Sequence, residues 1–564
     1  MRGGFVVLAA LIGIVHGREV PWRHGVPSLC FEMFASPEAL GLGEDLVVSW
    51  TNVDTHAADY VTLSCGPTVD NDDYIERINV TASSSHSVRF ADLHMLRCVY
   101  VASYFHYRRD AFVLLGQVIV PMRMSIDSPQ HGHLALNDRV DQMVLMYNTA
   151  SNRTTPSVRA TRVADPPFDS VAAPVTVHYG TSSTYTASDM CHQPATIVGQ
   201  QWFRHPGYMH TVVIDGLFPD CMYAYQFGND MDGWSEIYTF RSRPLSATNA
   251  TVKWIAYGDM GVDNSPAAVS TALHVSQDIL RGYNGFLLHF GDISYARGRG
   301  LQWDKYFYLI QDVATRIPYM VSMGNHEYDY IGGDGSRDPS HPATPNGFHP
   351  SWGNYGVDSL GECGVPTVHR FTGPANGNGL FWYSFDYGPI HVVQISSEHD
   401  FMPGSVQHAW LEANLASVDR SLLPWVVLTA HRMMYTTQSH EDADYNVSLH
   451  FRAAIEPLLR QYRVNLVLVG HQHSYERSCP VWNGTCVREG TVHIVAGAAG
   501  AELETTPFSP ALGSWSVAHA NAWGYLRAEA SSDALHIAFV RNDNGNVYDQ
   551  VTLHPWKEIH IANE

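Results

Sequence analysis

Val252-Lys253-Trp254-Ile255-Ala256-Tyr257-Gly258-Asp259-Met260-Gly261 is a mostly apolar run that stops at a glycine and a carboxylate. Such a run predicts a buried strand, and the Gly-Asp pair predicts the turn that ends it. The arrangement recurs downstream. Gly285-Phe286-Leu287-Leu288-His289-Phe290 runs into Gly291-Asp292-Ile293-Ser294-Tyr295. Tyr319-Met320-Val321-Ser322-Met323 runs into Gly324-Asn325-His326-Glu327. Trp425-Val426-Val427-Leu428-Thr429 ends near His431, and Asn465-Leu466-Val467-Leu468-Val469 ends at Gly470-His471-Gln472-His473. Helix-length segments separate these runs. One helix is predicted with Ser265 as N-cap and Pro266 in its first turn, another over Asp304 to Ile317, and others near 405–418 and 450–462. Alternating strands and helices predict an α/β region.

Ligands in α/β sheets gather at the carboxyl ends of strands, so five such ends can share one crevice. Singly, each motif is weak. A lone Gly-Asp is most often a turn, and a histidine at a strand end is usually structural. Five of them in order, each bearing a potential metal ligand, define a candidate site.

Upstream of this region the chain is β-rich. Asp45–Trp50 and Tyr60–Ser64 are short strand-like runs between turn-formers. A second β-rich stretch includes the runs Ala172–Gly180, His210–Ile214 and Cys221–Phe227. Strands at this spacing suggest β-sandwiches. Arg243-Pro244-Leu245-Ser246-Ala247-Thr248-Asn249 reads as a linker, and strands such as Leu535–Val540 return near the end.

Composition narrows the function. The chain has 564 residues, enough for three or four domains, and its net charge of −21 with no Lys/Arg cluster excludes nucleic acid as a partner. A small anionic substrate would need a local positive centre, which a metal pair supplies. Arg2 followed by the short apolar run Phe5–Val15 and the small residue Gly17 predicts a signal peptide over residues 1–17. That run is too short to span a bilayer, and no later segment is expected to cross one. Eight cysteines without zinc-type spacing fit an oxidising compartment; Cys479 and Cys486 flank a short turn and can form a local bridge. N-x-S/T sequons begin at Asn79, Asn152, Asn249, Asn446 and Asn483. Together these predict a secreted, glycosylated protein, extracellular or in the lumen of the secretory pathway.

The ordered set Gly258-Asp259-x-Gly261, Gly291-Asp292-x-x-Tyr295, Gly324-Asn325-His326-Glu327, His431 and Gly470-His471-x-His473 resembles the signature of the purple acid phosphatases, within the calcineurin-like metallophosphoesterases. Met190-Cys191, His205-Pro206-Gly207-Tyr208 and Gly233-Trp234-Ser235 extend the resemblance to the domain that precedes catalysis in the larger plant-type members. Gly361-Glu362-Cys363-Gly364-Val365 and His399-Asp400 resemble the subgroup named for nucleotide pyrophosphatase or diphosphonucleotide phosphatase activity. The resemblance implies a mixed α/β and β chain: a metallophosphoesterase α/β sandwich of two sheets flanked by helices, preceded by two Ig- or fibronectin III-like β-sandwich domains. Its expected domains are 18–121, an N-terminal β-sandwich; 122–245, the fibronectin III-like purple acid phosphatase N-terminal domain; 250–505, catalytic; and 506–564, a β-rich extension packed on the catalytic domain.

By the same resemblance, Asp259, Tyr295 and His473 would bind one metal. Asn325, His431 and His471 would bind the other, and Asp292 would bridge. A phenolate beside two carboxylates suits Fe(III), and two imidazoles with an amide suit Fe(II), Zn(II) or Mn(II). Most of the superfamily has histidine where this chain has Gly261; losing that ligand while gaining Tyr295 fits the purple-phosphatase site. The fourth motif departs in having Leu428 where valine is usual, an apolar exchange. The resemblance makes His326 and His440 the substrate-side catalytic histidines, with Glu441 where some plant members carry another histidine. It implies an acid phosphatase that cleaves small phosphate monoesters with a metal-bound hydroxide. The alternatives are a nucleotide pyrophosphatase or phosphodiesterase on the same fold, and a non-catalytic secreted binding protein, against which stands the intact set of seven predicted ligands.

Overall fold

The structure, a computed structural model, describes residues 31–556 except 69, 81–85, 164–174, 247–249, 333–334, 343–345 and 439–441. The expected signal peptide, Cys30, the sequon at Asn249, and His440 with Glu441 lie outside the described residues.

Two sheets form the core of the C-terminal region. In one, strands Tyr319–Ser322, Leu287–Phe290 and Val252–Tyr257 run parallel, and Gly524–Ala530, Leu535–Arg541 and Val547–Leu553 continue it antiparallel. In the other, Ile390–Gln394, Trp425–Thr429, Leu466–Val469 and Val492–Ala496 run parallel, with Tyr383–Tyr387 at one edge and Tyr475–Ser478 and Ser516–Ala520 at the other. Parallel strands covered on both faces need apolar residues at every position. Val427, Leu466, Leu468 and Ile494 accordingly join the core between the sheets. Their alternates Val426, Leu428, Val467 and Val469 pack outward with Leu411, Phe451, Ile455 and Leu459 from helices Val406–Ala416 and Asp442–Gln461. Helices Ala268–Leu280 and Gly300–Ala314 lie side by side and pack with the first sheet.

Helix starts differ from the sequence expectation. Ser265 does not cap the first helix. Its carbonyl accepts from Ala268 N in a preceding turn, and Ala267 is the N-cap. The second helix begins at Gly300 rather than Asp304, and the last at Asp442, eight residues before the apolar pattern predicted.

The β-rich stretches form two pairs of sheets, three- and four-stranded up to Val120, then five- and four-stranded from Gln130 to Arg241. These modules are tied to the C-terminal region by buried polar contacts, among them Arg370 Nε to Tyr185 Oη at 3.1 Å and those to Asp304 in helix Gly300–Ala314. Arg97 donates to both carboxylate oxygens of Asp304 at 2.8 and 2.7 Å, and Arg370 lies 3.7 Å from the same carboxylate. Disulfides join Cys65–Cys98, Cys191–Cys363 and Cys479–Cys486. The last is the local bridge expected from the sequence, and the second crosses from the second β-module to the region of the two large sheets.

Candidate metal centre

Every residue proposed from a strand-end motif sits just past the end of its strand. Asp259 follows Val252–Tyr257, and Asp292 and Tyr295 follow Leu287–Phe290. Asn325 and His326 open the single turn Asn325–Tyr328, His431 follows Trp425–Thr429, and His471 and His473 follow Leu466–Val469. The loops are knitted to one another across the two sheets. Asp259 N donates to Gly291 O at 3.2 Å, and Gly470 N to His431 O at 2.9 Å. His471 N donates to both oxygens of Asp259, at 3.1 and 3.0 Å. This approach needs bare backbone: a Cβ on Gly324 would lie 2.3 Å from Asp292 Oδ1, and one on Gly470 2.2 Å from Asp259 Oδ2. Asp259, Asp292, Tyr295 and His471 hold φ of 61°, 51°, 53° and 67°. Left-handed backbone at four non-glycine residues is strain of the kind that clusters where geometry serves function.

The donor atoms fall into two groups. In one, Tyr295 Oη is 2.8 Å from His473 Nε2 and 3.4 Å from Asp259 Oδ1, and His473 Nε2 is 3.4 Å from Asp259 Oδ1. In the other, Asn325 Oδ1 is 2.8 Å from His431 Nε2 and 3.1 Å from His471 Nδ1, and the two imidazole nitrogens are 3.3 Å apart. Asp292 belongs to both. It offers an oxygen within 4.8 Å of ligand atoms on Asp259 and His473, and its Oδ1 is 3.3 Å from His431 Nε2.

Outer contacts aim these donors. The far nitrogen of each imidazole has a partner: His431 Nδ1 the carbonyl of Phe290 (3.0 Å), His473 Nδ1 the carbonyl of Glu502 (2.7 Å), and His471 Nε2 the carboxylate of Asp444 (3.0 Å). A proton held on the far nitrogen leaves the near lone pair pointing inward, as a metal requires. Asn325 Nδ2 donates to Asp358 Oδ2 at 3.0 Å, which turns its carbonyl oxygen toward the two imidazoles. Glu327 accepts from the backbone N–H of Asp292, Ile293 and Gly324 at 2.8, 2.7 and 3.1 Å, binding two strand-end loops together. Burial and the charge on Asp292 push its carboxyl up to about 8.

The electrostatics fit a cation. Burial opposes ionisation of Asp292, but the neighbouring imidazoles of His431 and His326 outweigh it and hold the carboxyl well below its usual range. Burial likewise opposes charge on His431 and His473, yet Asp292 raises the first to about 10 and Asp259 the second to about 9. Positive charge is thus favoured in both donor groups. Burial, with Asp292 and Asp259 beside it, pushes the Tyr295 phenol well above its ordinary value, so this oxygen ionises only against a strong Lewis acid. The two donor groups suit a pair of metal ions.

The site opens into a cavity of about 650 Å³ lined by Asp292, Asn325, His326, Asp358, His471 and His473 among others. His326 faces Asp292, with Nε2 3.7 Å from Oδ2. A larger apolar cavity of about 1010 Å³, lined by Tyr328, Phe348, Trp382 and Trp410, carries none of these donors. Glu327, Asp358, Asp444 and Arg297 were given no role from the sequence. Of these only Glu327 had a motif to mark it, the last position of Gly-Asn-His-Glu; the others act through contacts between distant segments.

Two stacked sheets whose strand ends deliver carboxylates, a phenol, an amide and imidazoles to one cleft define a phosphoesterase of the calcineurin-like class, and the calcineurin-like phosphoesterase family model matches residues 255–475. The purple acid phosphatase N-terminal domain model matches 129–242, and a model described as iron/zinc purple acid phosphatase-like protein C matches 490–550. The chain belongs to the purple acid phosphatase family. It is 31% identical to probable inactive purple acid phosphatase 27 of Arabidopsis thaliana over 76% of this chain and 69% of that one. It is also 31% identical to a nucleotide pyrophosphatase/phosphodiesterase of Hordeum vulgare, over 57% of this chain and 88% of that one. Acid phosphatase type 7 of Homo sapiens is 30% identical, over 62% and 77%. The structure of a purple acid phosphatase from yellow lupin seeds superposes with a TM-score of 0.78 at 25% identity, covering 93% of this chain and 96% of that one.

Proposed function

We propose that this chain is an active acid phosphatase that hydrolyses small phosphate esters or anhydrides at a dinuclear Fe(III)–M(II) centre. The observation that carries the reading is the sorting of seven donors into two convergent groups about Asp292, each donor imidazole fixed from outside. In this reading Asp259, Tyr295 and His473 hold the trivalent ion, Asn325, His431 and His471 the divalent one, and Asp292 both. The bound pair would supply Lewis acidity toward a phosphoryl oxygen and a water of lowered pKa. The chain's own residues do the rest. Asp292 sets the spacing of the two donor groups. Glu327 keeps the Asp292 and Asn325 loops in register. His326 stands at the cavity wall within reach of a phosphoryl oxygen, the position of a residue that stabilises developing charge. His440 is retained as a second substrate-side histidine on the family resemblance alone. Three disulfides support maturation in an oxidising compartment, and hence secretion.

Relatives named as inactive and relatives named for an activity make turnover the decisive measurement. The full chain should carry two metals, absorb in the visible, and release phosphate from phenyl phosphate at acid pH. D292A should lose both metal and turnover. Turnover undiminished in D292A with full metal content would sink the site assignment, and a two-metal wild type inert on every phosphate compound would favour the non-catalytic alternative.

A further inference from the structure

The cavity onto which the donors Asp292, Asn325, His471 and His473 open is lined by the acidic side chains Asp292, Asp358, Asp444 and Glu504, and no Lys or Arg is among its described lining residues. Arg432, nearby, is buried and consumed by Glu398, Asp329 and Asp444. An exposed cation, Arg297, stands against His326 in the wall of this cavity. Arg297 runs along His326, with Nε 3.1 Å from Nδ1 and Nη2 3.0 Å from Nε2, and its guanidinium lies 5.5 Å from the centre of the Tyr295 ring. His326 Nδ1 also lies 3.2 Å from the carbonyl of Asp358, so Arg297 Nε and Asp358 O meet the same ring nitrogen. No carboxylate pairs with the guanidinium among the described ion pairs. The residue holds φ of 49°, a costly backbone conformation for a side chain of this size.

We infer that Arg297 binds a second phosphoryl group, one beyond the group being transferred, and so biases this site toward phosphoanhydrides over simple monoesters. The inference rests on the phosphohydrolase reading above. His326 Nε2 stands 3.0 Å from Arg297 Nη2 and 3.7 Å from Asp292 Oδ2, so a single imidazole nitrogen links the guanidinium to the carboxylate shared by the two donor groups. A phosphoryl group over the metals and against His326 would leave its anhydride partner beside this guanidinium. A planar fork of N–H donors matches phosphate oxygens, and an acidic cavity otherwise repels them. In the reaction, water adds to phosphorus as the bridging P–O bond breaks, and pyrophosphate with one water gives two orthophosphates.

The test compares the metal-loaded full chain with R297N and R297G, both of which tolerate left-handed backbone. Calorimetric titration with inorganic pyrophosphate and with orthophosphate reads binding; kcat/KM for pyrophosphate and for phenyl phosphate reads turnover. Losing a charge-assisted contact should weaken pyrophosphate binding about tenfold to a hundredfold more than orthophosphate binding, and lower the pyrophosphate-to-phenyl phosphate ratio of kcat/KM by a similar factor. Equal losses for both anions would mean that Arg297 only positions His326 and would overturn the inference, as would no loss or a wild type that binds neither anion. The binding pattern without turnover of either substrate would uphold Arg297 as an anion site and defeat the hydrolytic reading instead.

Discussion

Tyr295 Oη sits 2.8 Å from His473 Nε2 and 3.4 Å from Asp259 Oδ1, in surroundings that resist its ionisation. If it binds iron as a phenolate, it is the chromophore. Y295F should therefore give a folded protein whose visible charge-transfer band is gone, read from the spectrum of the iron-loaded sample; a purple Y295F would exclude Tyr295 as the source. Asp444 acts one contact further out. It accepts from His471 Nε2 at 3.0 Å and from Arg432 Nη1 at 3.1 Å. D444N keeps the shape and removes the charge that strengthens His471 as a donor, so affinity for the second metal should fall about 10–100-fold by competition against a chelator. Unchanged affinity would reduce Asp444 to a structural partner of Arg432. The two residues show where reading by residue type stops. A tyrosine three residues after Gly-Asp carries its chemistry in plain view. An aspartate 27 residues before its histidine, on a different element, gains meaning only when the chain folds.

At the level of strands and turns, the site exists because five apolar runs end together and four of them end at a glycine, so that the loops approach without side chains between them. Gly470 tests this directly. A Cβ there would stand 2.2 Å from Asp259 Oδ2 and 3.4 Å from His431 Nδ1, and neither the strand before it nor the carboxylate can retreat freely. G470A should cost roughly 1–3 kcal/mol of stability in thermal or denaturant unfolding. It should cost metal affinity as well, because the atom displaced is a donor oxygen. A variant that binds both metals normally would show that the loop yields. The strands were legible because burial on both faces demands continuous apolar sequence between turn residues. The helix starts were less so. Ala268–Leu280 begins late because Ser265 is spent on a turn and Ala267 N donates to Gly500 O, a contact 233 residues distant. Asp442–Gln461 begins early because its mostly polar first turns carry Asp444 to the site, with Val447 alone of their residues in the core cluster beside Phe451 and Ile455.

The whole molecule was legible as layers, a two-sheet α/β sandwich behind two β-modules, since strand spacing and periodicity report on layers. How the modules dock was not, because it depends on pairs such as Arg97 with Asp304, 207 residues apart and both buried. Burial of ionisable groups across all these layers sets how stability responds to acid. His133, His399 and His493 lie away from the metal donors, and burial lowers them to about 4, 3 and 3. The unfolded chain protonates each near pH 6.5 while the folded chain resists. Each therefore contributes stability that is full above pH 6.5 and is lost on acidification, at about 1.4 kcal/mol per pH unit, until its folded value is reached. Glu362 has the opposite sign. Burial raises it to about 8, so the folded chain holds a proton that the unfolded chain releases near 4.5, and its contribution, full below 4.5, is lost as pH rises toward 8. Single variants separate these slopes. Neither ring nitrogen of His493 has a hydrogen-bond partner, and its ring packs 4.7 Å from that of Tyr435. H493F should thus gain stability over wild type by about 1.4 kcal/mol for each unit the pH falls below 6.5. E362Q should gain relative to wild type as pH rises from 5 to 8. Denaturant unfolding of the three proteins at pH 5, 6.5 and 8 gives both differences, and an H493F advantage that does not grow toward pH 5 would mean that His493 is protonated in the folded chain. If the proposed acid phosphatase activity holds, the chain would work where its buried histidines cost it stability, held together by groups like Glu362 whose slope runs the other way.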